Sequence, residues 1–170
     1  MKRIKWGANV SDFSDLVLLG AVDGGKKVYR REGGRIKIGD AKIEVVLYGF
    51  YKDRLEDLQI HFRSFSNFAK LKETWFRVYG SGYQLNPPKE TYRWNGRKFS
   101  MFFAYDATSG KGAIGCTHIP IYRERQRMRR NLEEYKEMVE RLKMVKKESF
   151  QTVGRGRHQG EVRTERRVMV

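Results

Sequence analysis

The sequence predicts an α+β fold: an antiparallel sheet with one or two packed helices, followed by a basic, heptad-like C-terminal helix and a flexible tail. Three observations predict it. Short runs of alternating apolar and polar residues are joined by tight turn signals, which is the pattern of antiparallel strands, and no alternation of strand and helix requires a parallel sheet. One segment, residues 66–79, repeats its large apolar residues at helical spacing. From Ile121 the period changes to a heptad-like one, before an Arg- and Gly-rich end, and the charge density rises.

The elements follow in order. Ser11 can cap a short helix reaching Leu16, with Asp12 and Asp15 near its positive end. Residues 17–22 and 27–31 read as strands joined at Asp23-Gly24-Gly25, and Gly33-Gly34 marks another turn. Residues 42–51 form a third strand, with Ile43, Val45 and Leu47 expected on the buried face. A turn at Asp53 leads to residues 55–63, where Leu58, Ile60 and Phe62 face inward. In the helix, Phe65, Phe68, Leu71, Trp75, Phe76 and Tyr79 form the apolar stripe, with Trp75 or Phe76 as core anchors and Gly80 as the stop. Asn95-Gly96 joins strands at 91–94 and 98–105, and Ser109-Gly110 turns into a last strand at 113–119. A faint rhythm of helix followed by meander runs twice through this stretch without amounting to a repeat.

Pro120 divides the chain into a globular domain, residues 1–120, a basic amphipathic helix, 121–148, and an Arg- and Gly-rich tail, 149–170. Lys and Arg exceed Asp and Glu by 36 to 20, a net charge of +16. Residues 1–120 carry 21 basic and 12 acidic residues, and residues 121–170 carry 15 and 8, so the shorter segment is almost twice as charged per residue. That balance favours an anionic partner. A single cysteine, Cys116, excludes an internal disulfide and a cysteine-rich zinc site. No apolar run is long enough to cross a membrane and the first ten residues have no signal-peptide core, so a cytoplasmic location is expected.

Ile4-Lys5-Trp6-Gly7, the run from Tyr48-Gly49-Phe50-Tyr51 through Lys52-Asp53-Arg54-Leu55, the helix ending in Tyr79-Gly80 and the hairpin tryptophan Trp94 carry a resemblance. Over about residues 3–119 the chain resembles a family of small uncharacterised bacterial α+β proteins. The resemblance implies helices packed on an antiparallel sheet and implies no activity, cofactor or catalytic residue.

Few residues invite catalytic chemistry. Thr108-Ser109-Gly110-Lys111-Gly112 lacks the first glycine of a phosphate loop, has Gly where Ser or Thr should follow the lysine, and precedes no helix; it reads as a β-turn. Cys116 and His118 share a strand face, but no third group orients them, and Cys116 reads as a small buried hydrophobe. His61 and His158 have no clustered partners for a metal. Asp53, Glu56 and Asp57 surround a tight turn, where solvated charge is the ordinary explanation. With no nucleophile, base and orienter together, an enzyme is the disfavoured class and no cofactor is expected.

The basic signal is stronger. Arg123, Arg125, Arg127, Arg129 and Arg130 fall within eight residues, and arginine binds phosphate bidentately and stacks on bases. Arg93, Trp94, Arg97 and Lys98 put an aromatic among cations, the mixture used to stack bases. Arg155, Arg157, Arg163, Arg166 and Arg167 extend the signal into the tail. Met128, Leu132, Tyr135, Val139 and Leu142 make a heptad seam that packs either on the domain's own sheet or on a second helix. The expected function is a non-enzymatic binding module. Its basic C-terminal helix and tail engage nucleic acid or an acidic protein surface. The alternative is a structural or accessory subunit of a larger assembly, with a second copy or another subunit on the seam.

Overall fold

A computed structural model describes residues 5–157 except 23, 33–35 and 85, with side chains through Met144. The chain is α+β: a seven-stranded antiparallel sheet, a separate two-stranded ribbon and two helices. In chain order these are β1 (Leu16–Val22), β2 (Lys26–Arg31), β3 (Lys37–Ile38), β4 (Ala41–Lys42), β5 (Val45–Tyr51), β6 (Arg54–Arg63), α1 (Phe65–Tyr79), β7 (Glu90–Asn95), β8 (Phe99–Asp106), β9 (Lys111–His118) and α2 (Ile119–Arg157). The sheet order is β1-β2-β5-β6-β9-β8-β7, and β3 pairs with β4. Two meanders therefore meet along β6 and β9, so the twofold rhythm of the sequence lies in the strands rather than in the helices.

The chain separates into compact units at Arg127/Met128, seven residues beyond Pro120. The reason is that the first turns of α2 are docked on the first unit: Ile121 and Arg125 are both buried. Pro120 sits in the first turn of α2, where its missing N–H costs no hydrogen bond. The helix does not stop at 148. It runs to Arg157, through Lys147, Glu148 and Gln151, which favour a helix, and on through Gly154 and Gly156, which do not. Residues 158–170 of the expected tail lie outside the described residues.

Three local expectations give way. Ser11 does not cap a helix. Asn9 does: its side chain accepts from the Ser11 amide at 3.0 Å while Asp12 accepts from the Asn9 amide at 3.0 Å, and this reciprocal box closes only the 3-10 turn Val10–Asp12. The strand expected over 42–51 breaks at Ile43-Glu44, and β5 buries Val46, Tyr48 and Phe50 rather than Val45 and Leu47. Tyr48 and Phe50 are the bulkier pair, so this face removes more apolar area from water. In α1 the buried residues are Phe68 and Leu71; Trp75 and Phe76 are only half-buried.

The core lies between α1 and one sheet face. Phe103 is fully buried at its centre, within 5.4–6.5 Å ring-centroid distances of Phe62, Phe68, Trp75 and Tyr92. Phe68 stacks on Tyr105 at 4.6 Å. Ser64 caps α1, its hydroxyl accepting from the Asn67 amide, and Gly80, at φ +78°, ends it as expected. The turn between β5 and β6 has positive φ at both central residues, Lys52 and Asp53, the geometry that best joins two twisted strands. The Asn-Gly turn is different: Asn95 stays in β7, the Gly96 amide donates to the Phe99 carbonyl at 2.8 Å, and the bend falls at Arg97-Lys98 instead.

Candidate anion-binding surface

The opposite sheet face carries the charges. Between β5 and β6 the register shifts, so Phe50 faces Leu55 and Gly49 faces Asp57, leaving Glu56 as an extra residue in β6. Glu56 and Asp57 are thereby both buried. Arg125 reaches down from α2 and grips Glu56 with two charge-assisted hydrogen bonds of 2.8 Å, Nε to Oε2 and a terminal nitrogen to Oε1. Its guanidinium also lies 5.5 Å from the centre of the Tyr122 ring. Lys26 Nζ meets Asp57 at 2.7 Å. Gly49 makes room for that carboxylate: a Cβ there would sit 2.3 Å from Asp57 Oδ2. Gly49→Ala is expected to cost about 1–3 kcal/mol as an overpacked site, read from urea unfolding. A change within error would show that Asp57 swings aside freely.

These pairs correct two expectations. The acidic residues Glu56 and Asp57 are not solvated turn charges, and Arg125 is not a ligand-binding arginine. It is 7% exposed and committed to Glu56. The missed signal was spacing: Arg125 is four residues after buried Ile121, on the docked side of the helix. Glu124, alone among the arginines in sequence, is held by Arg54 and Lys52, which keep its carboxyl below the usual carboxylate range. Trp94 is a third correction. It is half-buried against the core, its Nε1–H donates to the Gly80 carbonyl at 3.1 Å, and its ring covers Gly82. Its ring is thus set on the core side of β7, away from Arg93.

What the fold does bring together is Arg93 and Arg123, thirty residues apart in sequence. Both line one depression of about 460 Å³, with Asn95, Ser100, Phe102, Thr117 and Tyr122. The register explains the convergence. Arg93 faces Phe102 across β7 and β8, and Phe102 faces Gly115 across β8 and β9. Gly115 has no side chain, so the Phe102 ring lies over it; an added Cβ would come within 2.1 Å. The start of α2 then places Tyr122 and Arg123 at the rim. No acidic side chain lines this depression among the described residues. Arg97, Lys98 and Arg127 are exposed elsewhere on the first unit. Arg129 and Arg130 are exposed on the second unit, where Arg129 lies 3.5 Å from Glu133 on the next turn.

The heptad seam also belongs to the second unit. Met128, Leu132, Tyr135 and Leu142 are each at least half exposed, and Val139 is partly so. The tail arginines Arg155, Arg157, Arg163, Arg166 and Arg167 have no described side chains.

The chain matches no known protein family, and no curated protein or solved structure matches it. The candidate chemistry therefore rests on the residues alone. Burial pushes the Cys116 thiol up to about 11, which leaves little thiolate at neutral pH. His118 is stacked on Trp6 and tilted against Phe99, and burial together with Arg54 and Lys98 lowers its pKa. Thr108 and Ser109 form the turn read from the sequence, with the Thr108 amide and Ser109 hydroxyl donating to Asp106. No group of three or more His, Cys, Asp or Glu suits a metal ion, and no helix is long and apolar enough to cross a membrane, among the described residues.

Proposed function

We propose that the protein is a non-enzymatic binding module for an anionic macromolecule, with single-stranded nucleic acid as its first-choice partner. The observation that carries this reading is the meeting of Arg93 and Arg123 beside Phe102 and Tyr122 in a depression without acidic lining. Cations that track phosphates and rings that receive bases are the ordinary parts of a single-strand site. The net charge of +16 adds long-range attraction. Arg97, Lys98 and Arg127, exposed on the same unit, would supply further phosphate contacts, and Arg129 and Arg130 add to the charge of the second unit. Contacts of this kind bind without strong sequence preference and weaken steeply with salt.

Replacing Arg93 and Arg123 together by Gln tests it. Binding of a fluorescent single-stranded oligonucleotide, measured against salt, should weaken. The log–log salt slope should fall by about 0.7 for each lost phosphate contact. Affinity that ignores salt, or no binding to single or double strands at low salt, overturns this reading.

A second reading is favoured by the exposed seam: docking on an acidic amphipathic helix of another protein within an assembly. The residues one place after Met128, Tyr135 and Leu142 are Arg129, Lys136 and Lys143, a basic flank recurring every seven residues. A second copy would set this flank against itself or against Asn131 and Met138, whereas an acidic helix would complement it. On this reading Leu132→Glu removes the partner and the Arg93 and Arg123 replacements leave it bound.

A further inference from the structure

The first unit also contains a cavity of about 780 Å³, on the sheet face opposite the arginines. Its floor is built by β6, β8 and β9, with Leu58, Ile60, Met101 and Ile114 pointing into it. Its roof is the C-terminal half of α1. That helix buries Phe68 and Leu71 near its start, and towards its end it meets the sheet through Phe76 on Tyr92, leaving Trp75 half-buried and Tyr79 about half exposed beside the cleft. Trp94 ties the helix end to the β7–β8 hairpin through the Gly80 carbonyl and so closes one side. Trp6 closes another, stacked on His118 and tilted against Phe99.

We infer that this cavity is a binding site for an uncharged, predominantly apolar small molecule. Three features carry the inference. The space is a concave cleft, partly enclosed and partly open to solvent, so a small molecule can enter it without the core parting. Its volume lies within the ~300–1,000 Å³ that small-molecule pockets occupy, and its lining has the matching character, mostly aromatic and aliphatic, with Tyr79 bringing a polar group. No charged side chain lines it among the described residues, so a carboxylate or phosphate entering it would lose its hydration with no counter-charge. The lining thus selects against the anions that the other face attracts. The two sites differ in face, chemistry and salt dependence, so either stands without the other.

The sequence supplies the means of testing it. All three tryptophans of the chain line the cavity, and so does its one cysteine. N-phenyl-1-naphthylamine, a neutral fluorophore that brightens in apolar surroundings, should bind the full chain saturably at one site. Tryptophan emission should be quenched by energy transfer to it. Dodecanol should displace it, and dodecanoate, the same chain with a charge, should compete about tenfold less well or worse. Cys116→Phe projects bulk into the space and should weaken probe binding by about tenfold or more while circular dichroism stays unchanged. Should that variant fail to fold, the native protein answers instead: bound probe should slow alkylation of Cys116 by N-ethylmaleimide, and the alkylated protein should no longer bind probe. Absence of saturable energy transfer, equal competition by dodecanoate, or binding indifferent to both changes at Cys116 overturns the inference.

Discussion

Arg125→Met is expected to lower the unfolding free energy by about 3–5 kcal/mol, because it strands the Glu56 carboxylate, 1% exposed, without its counter-charge. The loss belongs to the uncompensated charge rather than to the pair itself. Replacing both partners, Glu56→Leu with Arg125→Met, should therefore recover most of it, since apolar residues of similar volume substitute for buried ion pairs at little cost. Urea unfolding followed by circular dichroism and tryptophan fluorescence reads both results. A single replacement within error of the parent would mean that Arg125 does not reach Glu56 in solution. The same replacement separates anchoring from recognition. If the helix start is held by this pair, Arg125→Met should disturb oligonucleotide binding only through the fold, whereas replacing Arg93 and Arg123 should disturb binding and leave stability alone.

Phe103→Ala should cost a similar amount, about 3–5 kcal/mol, since a fully buried phenylalanine leaves a cavity that its neighbours cannot fill. The ring touches the inner side chains of β6, α1 and β7, so relaxation in one element opens a gap against another. Phe76→Ala should cost clearly less, because Phe76 is half-buried and meets chiefly Tyr92 and Trp94. Equal losses at the two positions would show that the helix is rotated from the arrangement described.

Most of the sheet was legible in the sequence, because period-two patterning and short turns state antiparallel pairing locally. Both β1–β2 and β5–β6 follow that logic. What was not legible depended on contacts between distant segments. The buried face of β5 was set by which parity held the larger rings, and parity was obscured by the break at Ile43-Glu44. Glu56 looked like turn charge because its partner lies sixty-nine residues on. Among the candidate site residues the residue types were readable and the roles were not. Arginines 123 and 125 are alike in sequence, and two residues along a helix turn one outward to the depression and the other inward to a carboxylate. Arg93 and Arg123 could not be paired without knowing that β7 lies beside β8 and that Gly115 lets Phe102 lie flat.

The joining of the two meanders has a kinetic consequence. Residues 16–63 and 90–118 each pair mostly between strands near in sequence, while among the described residues the ladder that joins them is β6 with β9, where Arg63 meets Lys111 and Asp57 meets Thr117. Every rung of that ladder closes a loop of about fifty to sixty residues, and such non-local pairing slows folding while adding little to its equilibrium cost. Phe62 lies over Gly112 on this ladder, where an added Cβ would come within 2.1 Å of its ring. Gly112→Ala is therefore expected to slow refolding in a stopped-flow experiment as well as to destabilise the native state, and a refolding rate equal to the parent's would show that this ladder forms after the slow step.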